Sequence, residues 1–172
     1  MPDINLPFRL NLGFIIYQTV GYSREFPFEI HRVKLQPDLD LTDLAGDVRV
    51  TRTPQGLLVQ VKMHASVIAE CVRCLTNYAH ILNVDFSELY AFDQRSVTDS
   101  NLILPEDGKI DLEPLLREYM LLDFPINPIC KPDCKGLCPI CGENLNLHTC
   151  NHDLQDDDER LSGLRSLLDN MT

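Results

Sequence analysis

The sequence has no long apolar run. Its most continuous ones, such as residues 12–17, are far too short to cross a lipid bilayer as a helix. The N-terminal stretch MPDINLPFRLNL also lacks a basic region followed by an apolar run, so we expect no secretion signal. Together these absences predict a cytoplasmic protein that has no membrane partner.

Basic residues are also scarce. The chain has 15 lysines and arginines against 26 aspartates and glutamates, which gives a formal net charge of −11. Since proteins bind nucleic acid mainly by placing Lys and Arg against phosphates, this balance argues against broad, nonspecific binding to RNA or DNA. It leaves room for a local basic spot, and it suits a partner that is itself strongly basic. Many cytoplasmic proteins are acidic without any such specific reason.

The familiar catalytic motifs are absent as well. The sequence contains no HExxH, GxSxG, GxxxxGK[ST] or GxGxxG pattern. The aspartates at positions 38, 40, 43 and 47 lack the glycine and the terminal glutamate of a calcium loop. His148 could pair with Cys150 as a nucleophile in a thiol hydrolase, but no further catalytic group accompanies them. We therefore expect a protein that is not an enzyme and has no small-molecule substrate.

Cysteine is what the chain has in excess. Five of its seven cysteines lie between positions 130 and 150, and the odd total fits a disulfide framework badly. The sequence CPICG at residues 138–142 is typical of a turn that points two sulfurs at one centre. Pro139 restricts the backbone there, and Gly142 can take a positive φ without strain. Tetrahedral zinc binds thiolates presented in this way, so the segment predicts a metal site.

Enough thiolates are present to close the coordination shell of that ion. The predicted ligands are Cys134, Cys138, Cys141 and Cys150. Cys130 and His152 are alternate ligands, because either could take the fourth position. A catalytic zinc keeps one position open and usually has a general base beside it, so a structural zinc is the better interpretation.

A separate CxxC pair, Cys71 and Cys74, lies between two predicted strands and should occupy a hairpin tip. The pair could form a second metal site or bridge to the C-terminal cluster, and simple packing is a further alternative. A redox pair is also conceivable, which would make the protein a cytoplasmic zinc or thiol redox-sensing module. Redox thiols usually lie at a helix N-terminus, and no helical pattern follows Cys74, so metal binding is favoured.

The first two-thirds of the chain alternate between apolar and polar residues, as half-buried strands do. Residues 47–66 predict a hairpin around the turn sequence TPQG, and residues 82–86 predict a third strand. Earlier strands are expected at 14–19 and 26–35. Residues 93–110 are polar and rich in turn residues, which indicates an exposed loop.

Helical spacing appears after that loop. Apolar residues recur at i, i+3, i+4, i+7 and i+8 from Leu112 to Met120, with Asp111 as the expected N-cap and Pro114 in the first turn. Leu161, Leu164 and Leu168 predict a short terminal helix. The acidic run at 153–159 is best explained as the N-terminus of that helix.

These elements predict an α+β fold. Its body would be a β-rich antiparallel sheet or a partly open barrel, followed by a helix, a cysteine-rich zinc-ribbon-like segment and a short C-terminal helix. We expect a β-rich domain with the CxxC hairpin tip at 1–92 and an exposed loop at 93–110. Residues 111–172 would form the helix and the zinc-binding segment, packed on the body.

Several sequence segments resemble one known bacterial and plastid family. They are ECVRCL at 70–75, IDL at 110–112, CKPDCKGLCPICG at 130–142, NLN at 144–146 and DERLSGL at 158–164. The chain resembles the DUF177 family over roughly residues 10–170; the family is also called YceD or large ribosomal RNA subunit accumulation protein. Its members often carry C-x-C where this chain has Cys150-Asn151-His152, so His152 could replace a thiolate ligand.

The resemblance implies a non-enzymatic factor in ribosome biogenesis. Such a factor would support accumulation of the large-subunit (23S) ribosomal RNA and assembly of the large subunit. Its partner would be a large-subunit ribosomal protein, pre-ribosomal RNA, or both. The acidic composition favours the protein, while Lys131, Lys135 and Arg73, close to the cysteine turns, are candidates for local RNA contact.

Overall fold

The computed structural model describes residues 7–152. Its elements are, in chain order, β1 (Arg9–Asn11), α1 (Gly13–Ile16), β2 (Ser23–Leu35), β3 (Leu39–Arg52), β4 (Gly56–Glu70), β5 (Asn77–Ala91), β6 (Lys109–Asp111) and α2 (Glu113–Asp123). Neither helix has the length or apolar character needed to cross a membrane.

A four-stranded antiparallel sheet forms the centre of the fold, with strand order β2-β3-β4-β5. The alternation read from the sequence is visible in β4, where Val59, Val61 and Met63 are buried and the residues between them face outward. The predicted hairpin is confirmed and extends from residue 39 to residue 70, and the predicted third strand is β5. Because β2 and β5 are the two edges, the described sheet is open rather than a closed barrel.

One face of the sheet carries the apolar core. Further buried side chains come from helix α2, including Leu116 and Met120, and from a two-stranded ribbon of β1 and β6 in which Leu10 lies opposite Ile110. The ring of Tyr119 stacks on Phe86 of β5 with centroids 3.9 Å apart. This packing holds α2 against the sheet, because the helix can bury its apolar stripe only against another apolar surface.

Helix α2 confirms the helix predicted from the apolar spacing, but its first residue differs from the predicted one. Leu112 occupies the cap position, so the predicted N-cap at Asp111 was wrong by one residue. The Asp111 carboxylate still accepts the amide of Glu113, the first helical residue, at 2.9 Å. Pro114 lies in the first turn, as predicted, where its missing N–H is of no consequence.

Two other expectations need correction. The strand predicted at 14–19 is wrong, because residues 13–16 form the one-turn helix α1 with Ile15 in the core. A short apolar run carries too little periodicity to distinguish the two states. The loop predicted at 93–110 is largely irregular, but Leu104 is buried and β6 begins at Lys109.

Two compact units divide the described residues. The larger contains 7–72 and 76–130, and the smaller contains 73–75 and 131–152. The domain boundaries expected at 92 and 110 stay a prediction. The acidic run at 153–159 and the terminal helix expected at Leu161, Leu164 and Leu168 lie outside the described residues.

Candidate metal centres

The CxxC pair of Cys71 and Cys74 lies at the tip of the β4–β5 hairpin, as predicted. The last strand pair joins Glu70 to Asn77, and beyond it the amide of Cys71 donates to the carbonyl of Thr76 at 3.0 Å. Leu75 follows the second cysteine with a φ of 55°, a left-handed conformation that reverses the chain direction. Both cysteines are buried.

The first cysteine group consists of Cys71, Cys74, Cys130 and Cys134, whose sulfurs all lie within 4.8 Å of one another. A zinc ion about 2.3 Å from four tetrahedral thiolates would hold their sulfurs about 3.8 Å apart. The observed spacing therefore fits a thiolate-bound metal with little movement. Partial burial, together with the sulfurs of Cys71 and Cys130, raises the pKa of the nearby Tyr78.

The CPICG segment forms the turn that its sequence predicts. The amide of Gly142 donates to the carbonyl of Cys138 at 2.8 Å, and Gly142 has a φ of 75°. A second hydrogen bond of 2.8 Å, from the Cys138 amide to the Glu143 carbonyl, closes the hairpin. The sulfurs of Cys138 and Cys141 lie within 4.8 Å of one another at this turn.

The second cysteine group consists of Cys138, Cys141, Cys150 and His152, whose ligand atoms all lie within 4.8 Å of one another. His152 Nδ1 is 3.7 Å from the sulfur of Cys138. Three thiolates and one neutral imidazole are a donor set that structural zinc uses, and together they fill four positions.

Backbone hydrogen bonds favour the thiolate form of Cys138, which is the form that binds a cation. The amides of Cys141 and Ile140 donate to the Cys138 sulfur and lower the pKa of Cys138 to about 6. The pKa of Cys150 shifts the other way and is raised, chiefly because of the neighbouring Cys138 sulfur. Adjacent sulfurs resist a second negative charge, and a bound divalent cation removes that resistance.

Asn146 supports the first cysteine group, a role that the sequence analysis missed. Its side-chain amide donates to the Cys134 sulfur at 3.4 Å and to Asn144 Oδ1 at 2.9 Å. Its side-chain Oδ1 accepts a hydrogen bond from the backbone amide of Lys135 at 3.0 Å. The only signal was the NLN sequence after the cysteine turn, because the contact between residues 134 and 146 depends on how the segment folds.

Two of the basic residues proposed for RNA contact, Arg73 and Lys131, have side-chain partners within the smaller unit. The Arg73 guanidinium donates to the Cys134 carbonyl at 3.1 Å, and the Arg73 carbonyl accepts the amide of Leu137 at 3.0 Å. Lys131 lies 3.7 Å from the Asp133 carboxylate. These contacts give Arg73 a structural role, while RNA contact by Lys131, Lys135 and Arg73 stays a prediction.

The structure divides the predicted ligands differently from the sequence analysis. Cys134 and Cys130 lie with Cys71 and Cys74, whereas His152 takes the fourth place beside Cys138, Cys141 and Cys150. Which residues bind an ion stays a prediction, since the grouping shows proximity and not coordination. His148, the suggested partner of a Cys150 nucleophile, is placed 3.9 Å from the Glu143 carboxylate.

A protein-family model matches residues 59–168 and describes the large ribosomal RNA subunit accumulation protein YceD. The chain belongs to the YceD family. The matched range begins within β4 and includes all seven cysteines, so the family resemblance rests on the part of the chain that contains both candidate metal centres.

Relatives of the YceD chain occur in bacteria and plants. An uncharacterized protein of Mycobacterium tuberculosis is 34% identical over 77% of this chain and 63% of its own length. The chloroplastic large ribosomal RNA subunit accumulation protein YCED homolog 1 of Zea mays is 40% identical over 31% of this chain and 19% of its own length. The uncharacterized protein YlbN of Bacillus subtilis is 26% identical over 59% of this chain and 60% of its own length. The chain thus spans less than two thirds of the relatives it matches, and no solved structure matches it.

Proposed function

We propose that the protein is a non-enzymatic factor in ribosome biogenesis that acts in the cytoplasm and supports accumulation of the 23S ribosomal RNA. Membership of the YceD family carries this proposal, because the family is described by large-subunit ribosomal RNA accumulation. The plant relative has the same description in its name. The factor would contribute to assembly of the large subunit by binding one of its components.

Metal binding has a structural role in this proposal. Zinc would occupy both cysteine groups, with four thiolates in the first and three thiolates and His152 in the second. Its chemistry there is to neutralise closely spaced thiolates and hold them together, which fixes the polypeptide around them. Four protein ligands leave no position for a substrate, so the zinc-ribbon-like segment acts as a scaffold.

Residues 7–152 leave one face of the sheet uncovered, and the charges on that face support a basic protein as partner. This open face comprises the outward residues of β2–β5, on the side opposite the apolar core. The strand registers place Glu25, Arg49, Gln60 and Ser87 in one row and Pro27, Asp47, Lys62 and Asp85 in the next. A groove of about 360 Å³ runs along the second row.

Negative charge predominates on the open face. Its carboxylates, including the β3 bulge, are Glu25, Glu29, Asp40, Asp43, Asp47, Glu70 and Asp85. Its permanent cations are fewer, namely Arg32, Lys34, Arg49 and Lys62, and the last two already form ion pairs, with Glu25 and Asp85 respectively. Among residues 7–152, Glu29 and Asp47 have no such partner. Ribosomal proteins are basic, so a Lys- and Arg-rich segment is the complementary ligand.

Depletion of the protein from its host cell tests the function. We expect precursor 23S RNA to accumulate and mature 23S RNA to fall, with recovery when the wild-type gene is restored. Unchanged levels of both RNAs would refute the proposal. For the partner, affinity purification should recover a large-subunit ribosomal protein, with less after Asp47→Lys than after Asp99→Lys in the exposed loop.

A thiol redox-sensing module is the second candidate function. The lowered pKa of Cys138 favours it, because a thiolate reacts with oxidants faster than a thiol does. Metal analysis with thiol titration separates the two functions. Stoichiometric zinc that protects the thiols until denaturation supports the structural site, whereas reversible thiol oxidation with loss of metal supports the sensor.

A further inference from the structure

Three exposed aromatic side chains lie within nine residues of one another near the N-terminus of the chain. Phe14, Tyr17 and Tyr22 are 40%, 90% and 36% exposed, and together we call them the aromatic patch. Val20 between them is also exposed. Apolar surface grouped in this way usually marks a binding site, since scattered positions would suffice if the exposure had no function. The patch precedes the range matched by the family model.

Hydrogen bonds hold the patch in place. Phe14 lies in α1 and Tyr17 directly follows it. Because residues three apart on a helical turn are neighbours, the two rings project from the same side. The turn that follows is closed by the amide of Tyr22, which donates to the Thr19 carbonyl at 3.0 Å. Arg52 of β3 fixes both ends, because its amide donates to the Tyr22 carbonyl at 2.8 Å and its Nε to the Ile16 carbonyl at 3.1 Å. The backbone that carries the rings is therefore held in place, so binding has to order only the side chains.

The charge around the patch differs from that of the chain as a whole. Residues 4–24 contain no Asp or Glu, although the chain has 26 of them. The guanidinium of Arg24 lies over the ring of Phe14 at 5.0 Å, and it also contacts Phe26 at 5.8 Å. Arg52 lies 4.3 Å over the ring of Phe92. Aromatic rings and guanidinium groups are thus combined at this place. Carboxylates also lie nearby in the fold, because the turn that contains Glu106 and Asp107 packs on α1 through the contact between Gly108 and Gly13, but the Asp107 carboxylate is paired with Lys109 at 3.8 Å.

We propose that the aromatic patch and Arg24 bind single-stranded RNA by stacking on unpaired bases. Planar rings and guanidinium groups stack on any base, the positive charge of Arg24 attracts the phosphates, and Lys109 offsets the charge of the nearby Asp107 carboxylate. An apolar protein segment would also use the rings but would gain nothing from Arg24. The inference rests on the proposed function, since unfolded stretches of precursor ribosomal RNA would be the natural ligand.

Fluorescence anisotropy with a labelled oligouridylate tests the patch. We expect Tyr17→Ala to weaken binding about five- to 150-fold, the range for loss of one stacked base. Tyr17→Phe, which keeps the ring, should bind like the wild type. Ile126→Ala is the matched control, because Ile126 is 96% exposed elsewhere in the larger unit. Arg24→Ala should reduce the slope of log affinity against log salt by about 0.7.

Three outcomes would overturn this inference. The wild type could fail to bind the oligouridylate, Tyr17→Ala could bind as well as Ile126→Ala, or Tyr17→Ala could lose a ribosomal protein while keeping the RNA. Circular dichroism should show that the variant folds, since the Tyr17 ring is almost entirely exposed. If depletion changes 23S levels but Tyr17→Ala restores them and no RNA binds, the patch fails and the proposed function stands. Unchanged 23S levels on depletion would refute the proposed function, whatever the patch binds.

Discussion

The two histidines near the end of the described chain allow a sharp test of the second metal centre. His152 lies in the second cysteine group, with its Nδ1 3.7 Å from the Cys138 sulfur. His148 is only four positions earlier, but its Nε2 is placed 3.9 Å from the Glu143 carboxylate. The two residues have the same chemistry and differ in what surrounds them, so each controls for the other.

The magnitude follows from the number of ligands. Structural zinc in small thiolate sites binds with an apparent free energy of about 10–16 kcal/mol. Divided over four ligands, this is about 2.5–4 kcal/mol for each, so His152→Ala should weaken zinc binding at this centre about 60- to 700-fold. His148→Ala should leave zinc binding within about twofold, because an exposed ion pair contributes little.

Chelator competition at fixed pH measures both variants, and Co²⁺ absorption reports whether imidazole is among the ligands. Equal affinities for His148→Ala and His152→Ala would refute the argument. A second result would also refute it, namely that the centre at Cys138 loses its ion in the Cys134→Ser variant but keeps it in the His152→Ala variant. That result would restore the ligand set Cys134, Cys138, Cys141 and Cys150 predicted from sequence.

Three further predictions concern the body and the smaller unit. Gly46→Ala should cost about 3 kcal/mol or more in urea unfolding, because its Cβ would lie 2.1 Å from the Lys62 carbonyl oxygen. Gly21→Ala, at a φ of 92° with open space around it, should cost about 1 kcal/mol, and equal losses would contradict the clash. Burial raises the pKa of Tyr90 to about 12, so its contribution to stability is complete below pH 10 and is lost as the pH rises through 12. Alkaline unfolding of Tyr90→Phe should lack this loss, and an unchanged alkaline profile would contradict it. Zinc chelation should expose the amides of residues 134–145 to hydrogen exchange and leave those of β4 protected. Equal loss of protection in both segments would contradict the expectation that metal stabilises the smaller unit and the apolar core stabilises the sheet.

Local patterns predicted the elements that have a strong period. Alternation of apolar and polar residues predicted β4, and helical spacing predicted α2, because each of these elements buries the side chains along one of its faces. Residues 14–19 gave no comparable signal, and the one-turn helix α1 depends on Ile15 entering a core built by distant strands. For the same reason, the sequence alone could not predict which cysteines lie together in each group. Cys134 and Cys138 are close in sequence, yet the turn between them directs their sulfurs to different groups.

The distribution of apolar side chains explains why metal would be structural here. The buried core cluster contains no residue beyond Met120 within the described chain. In the smaller unit, Ile140 and Leu147 are exposed, while the buried side chains are those of Cys74, Cys134 and Cys138. A segment that buries sulfurs instead of Leu, Ile or Phe gains little from the hydrophobic effect. Backbone hydrogen bonds alone do not compensate for the entropy of ordering such a segment, so a bond between metal and sulfur would supply the stability that apolar packing does not give the described part of this unit.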